Sequence, residues 1–476
     1  MSKSKAQTLT FGKALMYGLG IFGVQFFIGY VNSYQSQFYT SIFGADLMIC
    51  AVIILVSKVI SSFADPIIGN IIDNSHFKSG KMLPFVKMSA LPLAIMTTLL
   101  FIKIPFANDF LMYAYITVTT VLWNICMSFA DIPSQGMLAL LSPDSGEKSM
   151  AAGISNTMRT IALGAPGVVV PLACILTGSA EITEKEYLLA AIIIDVVGLL
   201  LYLGIIRGSK EVVQSPPQKM SFRDMFGELK NNRMLMIVFL IYILGFGRNM
   251  AMGIGVQTAA VLFDVVKFDI GSMHIELAGE NLSIVLGMAS AVAAMVSIVI
   301  APMINTKLGE KKTYLAFGIY GTVTSVVCYL LFVFGGEAFR SFGAIMLYQF
   351  IIGFMFGTHG YSPMVMLSDT VDYQEMKTGK RTEGIQYAVL SLGIKLSNAI
   401  SVAGGIFIVG LSGYQGTMTY ADVTPSMQNT VTLAYWLIPG ICVALSCIPV
   451  CFYKIDSNVK AQIAEYKKSK ELANAE

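Results

Sequence analysis

Long apolar runs, separated by short polar connections, fill the chain from one end to the other. Twelve are readable, at 11–39, 47–72, 85–106, 110–141, 150–177, 187–206, 235–263, 281–304, 314–334, 342–368, 384–411 and 431–453. A hydrocarbon core about 30 Å thick takes roughly 20 residues of helix to cross, so each run is long enough to span one. Barrel strands would show roughly ten-residue segments of alternating apolar and polar positions, and no such alternation occurs. The pattern predicts an all-α membrane protein with twelve transmembrane helices.

Charge distribution adds orientation. With the N-terminus in the cytoplasm, 24 of the 32 Lys and Arg residues fall on that side, which is expected to hold both termini there. The expected location is the cytoplasmic (inner) membrane, with multiple passes. The first run lacks a small-residue cleavage site after it and reads as a retained helix, not a signal peptide. The net charge of +3 follows from this loop chemistry and gives no reason to expect nucleic acid. Seven cysteines lie almost wholly in the apolar runs, without CxxC or His/Cys clustering, so neither a metal site nor a disulfide framework is expected.

The longest basic connection, at 207–233, divides the chain into a six-helix bundle at 1–206 and another at 234–453, with a cytoplasmic tail at 454–476. The halves echo one another. Asp65-Pro66 leading to Gly80-Lys81 recurs as Ala301-Pro302 leading to Gly309-Glu310-Lys311-Lys312, and SPDSGEKSMAAGI at 142–154 recurs in outline as DTVDYQEMKTGKRTEGI at 369–385. Both matches fall at an offset of about 230 to 236 residues, as duplication would leave them. Paired pseudo-repeat bundles are the architecture of secondary transporters, whose substrates bind near the midplane at the repeat interface.

With charged residues at only 13% of the chain, the ionisable groups left inside the runs stand out, and such groups are costly in a bilayer unless paired or hydrated. On the second span Lys58, Ser61 or Ser62, and Asp65 share a face, and on the fourth Asn124, Ser128, Asp131 and Gln135 recur at i, i+4, i+7 and i+11. Asp65 with Ser61 and Ser128 nearby suits cation coupling, since a carboxylate among hydroxyls can hold Na⁺ or take a proton. The alternative is a gate role in which Asp65 pairs with Lys58 or Lys81. A second group suits sugar: Gln25 and Asn32 on the first span, Arg159 on the fifth, Ser391 and Lys395 on the eleventh, together with Asn124, Asp131 and Gln135. Vicinal hydroxyls match carboxylate and guanidinium groups, and sugar ring faces match aromatics such as Trp123, Tyr17 or Tyr387. The same charges would also serve as an interhelical network. Arg248-Asn249 on the seventh span remains unassigned. Pro166, Pro171, Pro363 and Pro439 are expected to kink their helices. The charged turn at 369–383 supplies gate candidates Asp369, Asp372, Glu375, Arg381 and Glu383, which with Lys81 would pair with linker and tail bases, although a solvated loop reads the same way.

FADPIIGNIIDNSHFKSGKMLPF at 63–85, LWNICMSFADIPSQGML at 122–138 and DTVDYQEMKTGKRTEGIQYAVLSLGIK at 369–395 resemble the glycoside-pentoside-hexuronide:cation symporters of the major facilitator superfamily, and the resemblance covers essentially the whole chain. It implies the major facilitator fold and uptake of a small sugar by alternating access, coupled to H⁺ or Na⁺, with no bound cofactor. It places Asp65 and Ser128 at family cation-site positions, and Asp131, Arg159 and Lys395 at positions tied to sugar binding or pathway charge. Departures are equally informative. Ser61 and Ala64 stand where the family has a second Asp and an Asn, Gln25 where it has a galactoside-binding Asp, and Gln135 and Gly360 where it has Trp. Other expectations compatible with the architecture are a lipid or other small-molecule carrier and a passive facilitator, though a facilitator would not need Asp65. No HExxH, GxSxG or paired-His motif supports an enzyme.

Overall fold

The computed structural model describes residues 9–75, 77, 80–142, 145–179, 182–209, 211, 222–270, 273–278, 282–379, 383–456, 458–463, 465, 466 and 469. Two compact units divide the chain. The first comprises Met1–Lys219, Leu262–Ile284 and Gly413–Val423. It contains α1 (Phe11–Ser41), α2 (Leu47–Asn74), α3 (Leu83–Leu100), α4 (Asp109–Leu140), α5 (Ser145–Gly164), α6 (Pro166–Thr177), α7 (Glu184–Tyr202) and α8 (Gly204–Gly208). The second comprises Met220–Val261, Val285–Ser412 and Thr424–Glu476. Its helices are α9 (Phe222–Asn231), α10 (Arg233–Leu244), α11 (Met250–Leu262), most of α12 (Leu282–Leu308), α13 (Glu310–Phe334), α14 (Phe342–Thr378), α15 (Glu383–Leu411), α16 (Pro425–Thr432) and α17 (Ile438–Cys451).

Among the described residues, ten helices are long and apolar enough to cross a membrane, and two bent pairs bring the spans to twelve. Helices are the solution the bilayer demands, because each backbone polar group is satisfied within its own segment. Side-chain placement follows the same solvent. On α2, Ile49, Val52, Val56, Ile60, Phe63, Ile67 and Ile71 form an exposed apolar stripe at three- and four-residue spacings, while Ser57, Ser61, Ile68 and Ile72 are buried. This is the reverse of a soluble helix, with the greasy face outward to lipid. Inside the first unit, α1 packs on α5 and α7. A Cβ at Gly23 would lie 2.5 Å from the Gly198 carbonyl oxygen and the Tyr202 nitrogen, so glycine is what lets α1 and α7 touch through their backbones.

Several elements differ from the pattern-based expectation. The third span ends at Leu100, because the sequence beyond it, with Lys103 and Pro105, cannot continue an apolar helix. The fifth span breaks by 43° between Gly164 and Pro166, as its proline predicts. The seventh breaks by 49° without any proline, at Gly245 and a 3-10 turn, Phe246–Asn249. The tenth runs ten residues longer than expected, through Pro363 to Thr378, and stops only where Gly379 adopts φ +70°. Asp369, Asp372 and Glu375 are therefore helical and not part of a turn. After α11 the chain forms an antiparallel hairpin, β1 (Val265–Ile270) with β2 (Met273–Ala278), Val265 opposite Ala278 and Ile270 opposite Met273. At the last span, five residues of π-helix, Leu433–Leu437, lead into Pro439 near the start of α17.

Candidate functional site

Three helices of the first unit bring the polar residues of the proposed sugar site together. Gln25 on α1 donates from Nε2 to Asp131 Oδ1 on α4 at 3.1 Å, and Gln135, one turn along α4, donates to Asp131 Oδ2 at 2.6 Å. Both carboxylate oxygens are thus engaged by amides in different directions. Tyr17 on α1 donates to the Ser134 carbonyl at 3.0 Å, and its phenol lies within electrostatic reach of both Arg159 on α5 and Asp131. A carboxylate, a guanidinium, two amides and a phenol then share one region, the set that hydroxylated ligands recruit. Asn124, two turns before Asp131 on α4, donates to the Thr120 carbonyl of its own helix at 2.9 Å.

Lys58 turns away from the expected partner. Its Nζ donates to Asn32 Oδ1 on α1 at 2.8 Å, and among the described residues it forms no ion pair. The gate alternative for Asp65 through Lys58 is not what the geometry shows, because the rotation of α2 against α1 points the lysine to Asn32. Ser61 and Ser62 both donate to the Lys58 carbonyl, at 3.3 and 2.8 Å, leaving their oxygen lone pairs as acceptors. Asp65 is half-buried one turn on from Ser61, and Ser128 is buried on α4. Ala64 and Phe129, their chain neighbours, pack in one apolar cluster with Ile68, Ile72 and Phe85, so α2 and α4 meet at the level of Asp65 and Ser128.

Trp123 is not a sugar platform. It is buried and donates from Nε1 to Thr97 Oγ1 on α3 at 2.9 Å, which locks it into the α3–α4 packing. In the second unit Ser391, Lys395 and Asn398 follow at i, i+4 and i+7 along one side of α15.

The gate candidates separate. Asp369 on α14 pairs at 2.7 Å with Lys460 of the tail, which also reaches Glu310 at the start of α13 at 2.5 Å. Burial alone would lower the ammonium's pKa, but the hydrogen bonds and charges of the two carboxylates outweigh it and hold Lys460 above the ordinary lysine value. Asp372 and Glu375 follow on α14, with Glu375 buried. Arg381 lies outside the described residues, and Glu383 is the first residue of α15. Lys81 sits where the linker meets the first unit. The Glu211 carboxylate accepts from the backbone N–H groups of Lys81 and Met82 at 2.7 Å and of Leu83 at 3.0 Å, occupying the unpaired donors at the start of α3.

Two intramembrane ionisable residues escaped or outran the pattern reading. Asp195, in the middle of α7, accepts a hydrogen bond from Thr98 on α3; the lone Asp in AAIIIDVVGLLL was its signal. Arg248 sits in the 3-10 turn of the seventh span and donates to the His359 carbonyl on α14 at 2.9 Å.

The model of the MFS/sugar transport protein family matches residues 16–457. The isoprimeverose transporter of Lactiplantibacillus pentosus is 27% identical over 466 residues, covering 96% of this chain and 92% of that protein. The glucuronide carrier protein homolog of Escherichia coli (strain K12) is 26% identical over 481 residues, covering 98% and 97%. Among solved structures, an inward-facing bacterial homolog of the human lysosomal transporter Spinster superposes with a TM-score of 0.64 at 11% identity over 93% of this chain and 96% of that one. The D-xylose-proton symporter superposes with a TM-score of 0.62 at 13% identity over 93% and 97%. These likenesses show the major facilitator fold.

Proposed function

Because this chain belongs to the MFS/sugar transport protein family, we propose that it imports a glycoside, pentoside or hexuronide across the cytoplasmic (inner) membrane, with both termini cytoplasmic and uptake driven by cation influx. The observation that carries the sugar reading is the convergence of Gln25, Asp131 and Gln135, with Tyr17 within electrostatic reach of both Asp131 and Arg159. These groups hold one another in place and offer both charges to sugar hydroxyls. Asn32 and Asn124 complete the proposed contacts of the first unit, and Ser391 and Lys395 are proposed sugar contacts of the second unit by themselves. Gln25 in place of an acid removes one negative charge from the site, which favours neutral or anionic sugars over cationic ones.

Asp65 is the proposed coupling residue. A Na⁺ cage asks for roughly six hard oxygens, and Asp65, Ser61, Ser62 and Ser128 supply few of them. Lys58 lies on the same helix, and its ammonium is held by a neutral amide, so its field is not cancelled locally. A proton needs only the carboxyl, and the proposed ion is therefore H⁺. The test is uptake by proteoliposomes of labelled glycosides, pentosides and hexuronides under imposed H⁺ or Na⁺ gradients at fixed membrane potential. Accumulation driven by H⁺ without Na⁺ is expected. Accumulation driven by Na⁺ at constant pH, and not by H⁺, would overturn the proton assignment, and absence of sugar uptake under either gradient would overturn the function.

A further inference from the structure

An apolar groove in the second unit lies beside a charged turn, and transport as read above uses neither. The cavity, about 430 Å³, runs between α13 and α14 next to the connection at 335–341. Val327 and Leu331 of α13 and Ala344, Leu347 and Ile351 of α14 form its walls, and Phe339, in the 3-10 turn Glu337–Arg340, lies at its end. Val327, Leu347 and Phe339 are exposed, whereas Cys328 and Tyr348 are buried and form the floor. Both helices are long and apolar enough to cross a membrane, so the groove opens towards lipid.

The first unit shows how such a gap is closed by protein alone. Phe106 and Tyr115 stand 233 residues before Phe339 and Tyr348, within the offset that relates the two halves. At the connection between α3 and α4 their rings meet at 5.4 Å. In the second unit Tyr348 donates to the Phe339 carbonyl at 3.2 Å and turns its ring to Trp436 at 5.5 Å. Phe339 does not stack on it, and both residues line the cavity. Charge differs in the same way. Lys103, in the connection of the first unit, pairs with Glu184 at 2.9 Å. Arg340 instead donates from Nε to the Phe332 carbonyl at 2.9 Å and from Nη2 to the Val333 carbonyl at 3.1 Å, capping the last turn of α13. Among the described residues no carboxylate pairs with it, Glu337 of the same turn included. Two of the five guanidinium N–H groups are thus used, and the charge is not neutralised.

We infer that the groove is a binding site for a membrane phospholipid, with one acyl chain between α13 and α14 and the phosphodiester on Arg340. The cavity has the size of a small-ligand site. Its walls match a hydrocarbon chain, and guanidinium is the side-chain group suited to phosphate. A bound chain fills between α13 and α14 the space that the Phe106–Tyr115 pair fills between α3 and α4. The inference needs α13 and α14 to span a membrane and is independent of the sugar and of the coupling ion.

Trp436 reports occupancy through its contact with Tyr348, and in a Trp123→Phe background it is the one tryptophan of the chain. The full-length Trp123→Phe protein, stripped of lipid phosphate in a maltoside detergent, is titrated with a phosphatidylcholine carrying dibrominated chains and with the diacylglycerol of the same chains, and quenching of Trp436 is read. The phosphatidylcholine is expected to quench saturably, with its half-effect at a mole fraction about fivefold or more below that of the diacylglycerol, the scale of one basic side chain at a lipid head group. Arg340→Gln in that background is expected to bring the two lipids together. Ala344→Phe, which fills the groove, is expected to remove saturable quenching by both. Equal half-effects in the protein that retains Arg340 would mean that the guanidinium only caps α13, and they overturn the inference even if Arg340→Gln does not fold. Quenching that rises in proportion to lipid without saturating, or no quenching, overturns it as well. So does a preference for the phosphatidylcholine that survives Arg340→Gln, or saturable quenching that survives Ala344→Phe.

Discussion

The first unit places two carboxylates inside its spans and surrounds them differently. Asp65 on α2 follows a turn of hydroxyl residues, Ser61 and Ser62, and faces the level of α4 where Ser128 is buried. Asp195 on α7 has one hydroxyl partner, Thr98, and its helix neighbours Ile192, Val196 and Leu200 are exposed to the lipid side. The Tyr30 phenol of α1 lies within its electrostatic reach and is already committed to the Tyr187 carbonyl at 2.7 Å. A carboxyl can discharge itself in a bilayer by holding a proton, so burial alone does not make it a working part. What distinguishes the two is the supply of acceptors that could pass an ion along. Among the described residues, Ser61 and Ser62 precede Asp65 on its own helix, whereas the hydrogen-bond partner of Asp195 is Thr98.

The sharpest break of this comparison is removal of each charge in turn. Asp65→Asn should abolish gradient-driven accumulation while leaving sugar exchange across the membrane, measured in proteoliposomes with and without an imposed gradient. Full accumulation by this variant would move the coupling site elsewhere, with Asp195 the next carboxylate to examine. A smaller effect is expected in the sugar cluster. Asp131→Asn keeps the shape and removes the charge that Gln25 and Gln135 both hold, so apparent sugar affinity should fall about tenfold or more, with coupling retained in whatever uptake remains. Loss of coupling with unchanged affinity would show that the α4 stripe serves the ion and not the sugar.

How much of this was readable in advance varies with the distance over which the deciding contact acts. The α4 stripe of Asn124, Ser128, Asp131 and Gln135 is a local period, and in the structure Gln25 of α1 hydrogen-bonds to its Asp131. The pairing of Lys58 with Asn32 was not readable, because helical spacing places Lys58 and Asp65 on one face but says nothing of how α2 rotates against α1. Trp123 reads as a sugar platform until Thr97 is seen to claim its N–H. The break at Gly245 depends on Gly247 meeting Cys442 and Pro439, residues far along the chain, and no local pattern announces it. The extension of α14 was misread for the opposite reason, since charge density suggested a turn although nothing before Gly379 stops a helix.

At Asp195 the expected effect is small on transport and visible in stability. Asp195→Asn should leave the initial uptake rate within about twofold of wild type, because an asparagine can still accept from Thr98. Thr98→Val should lower stability by about 1 kcal/mol by leaving that carboxyl without its donor, read as a lower unfolding midpoint in detergent. Loss of accumulation in Asp195→Asn would erase the difference between the two carboxylates and make both part of the proton path.

The smallest expected effect concerns a charge outside the spans, which tests whether the second unit relies on ionic contacts at its edge. Lys460 bridges Glu310 and Asp369 but is partly exposed, so Lys460→Met should cost ~1 kcal/mol or less of stability. Its pH behaviour follows from the raised pKa. A lysine whose folded-state pKa lies above its unfolded value contributes fully below the unfolded value and loses that contribution as pH rises through the folded one. The difference in unfolding midpoint between wild type and Lys460→Met should therefore stay flat from about pH 7 to about pH 9 and shrink only above the ordinary lysine range near ~10.4. A difference that fades within that lower window would mean that the ammonium is losing its proton there, and that burial outweighs the two carboxylates at this contact.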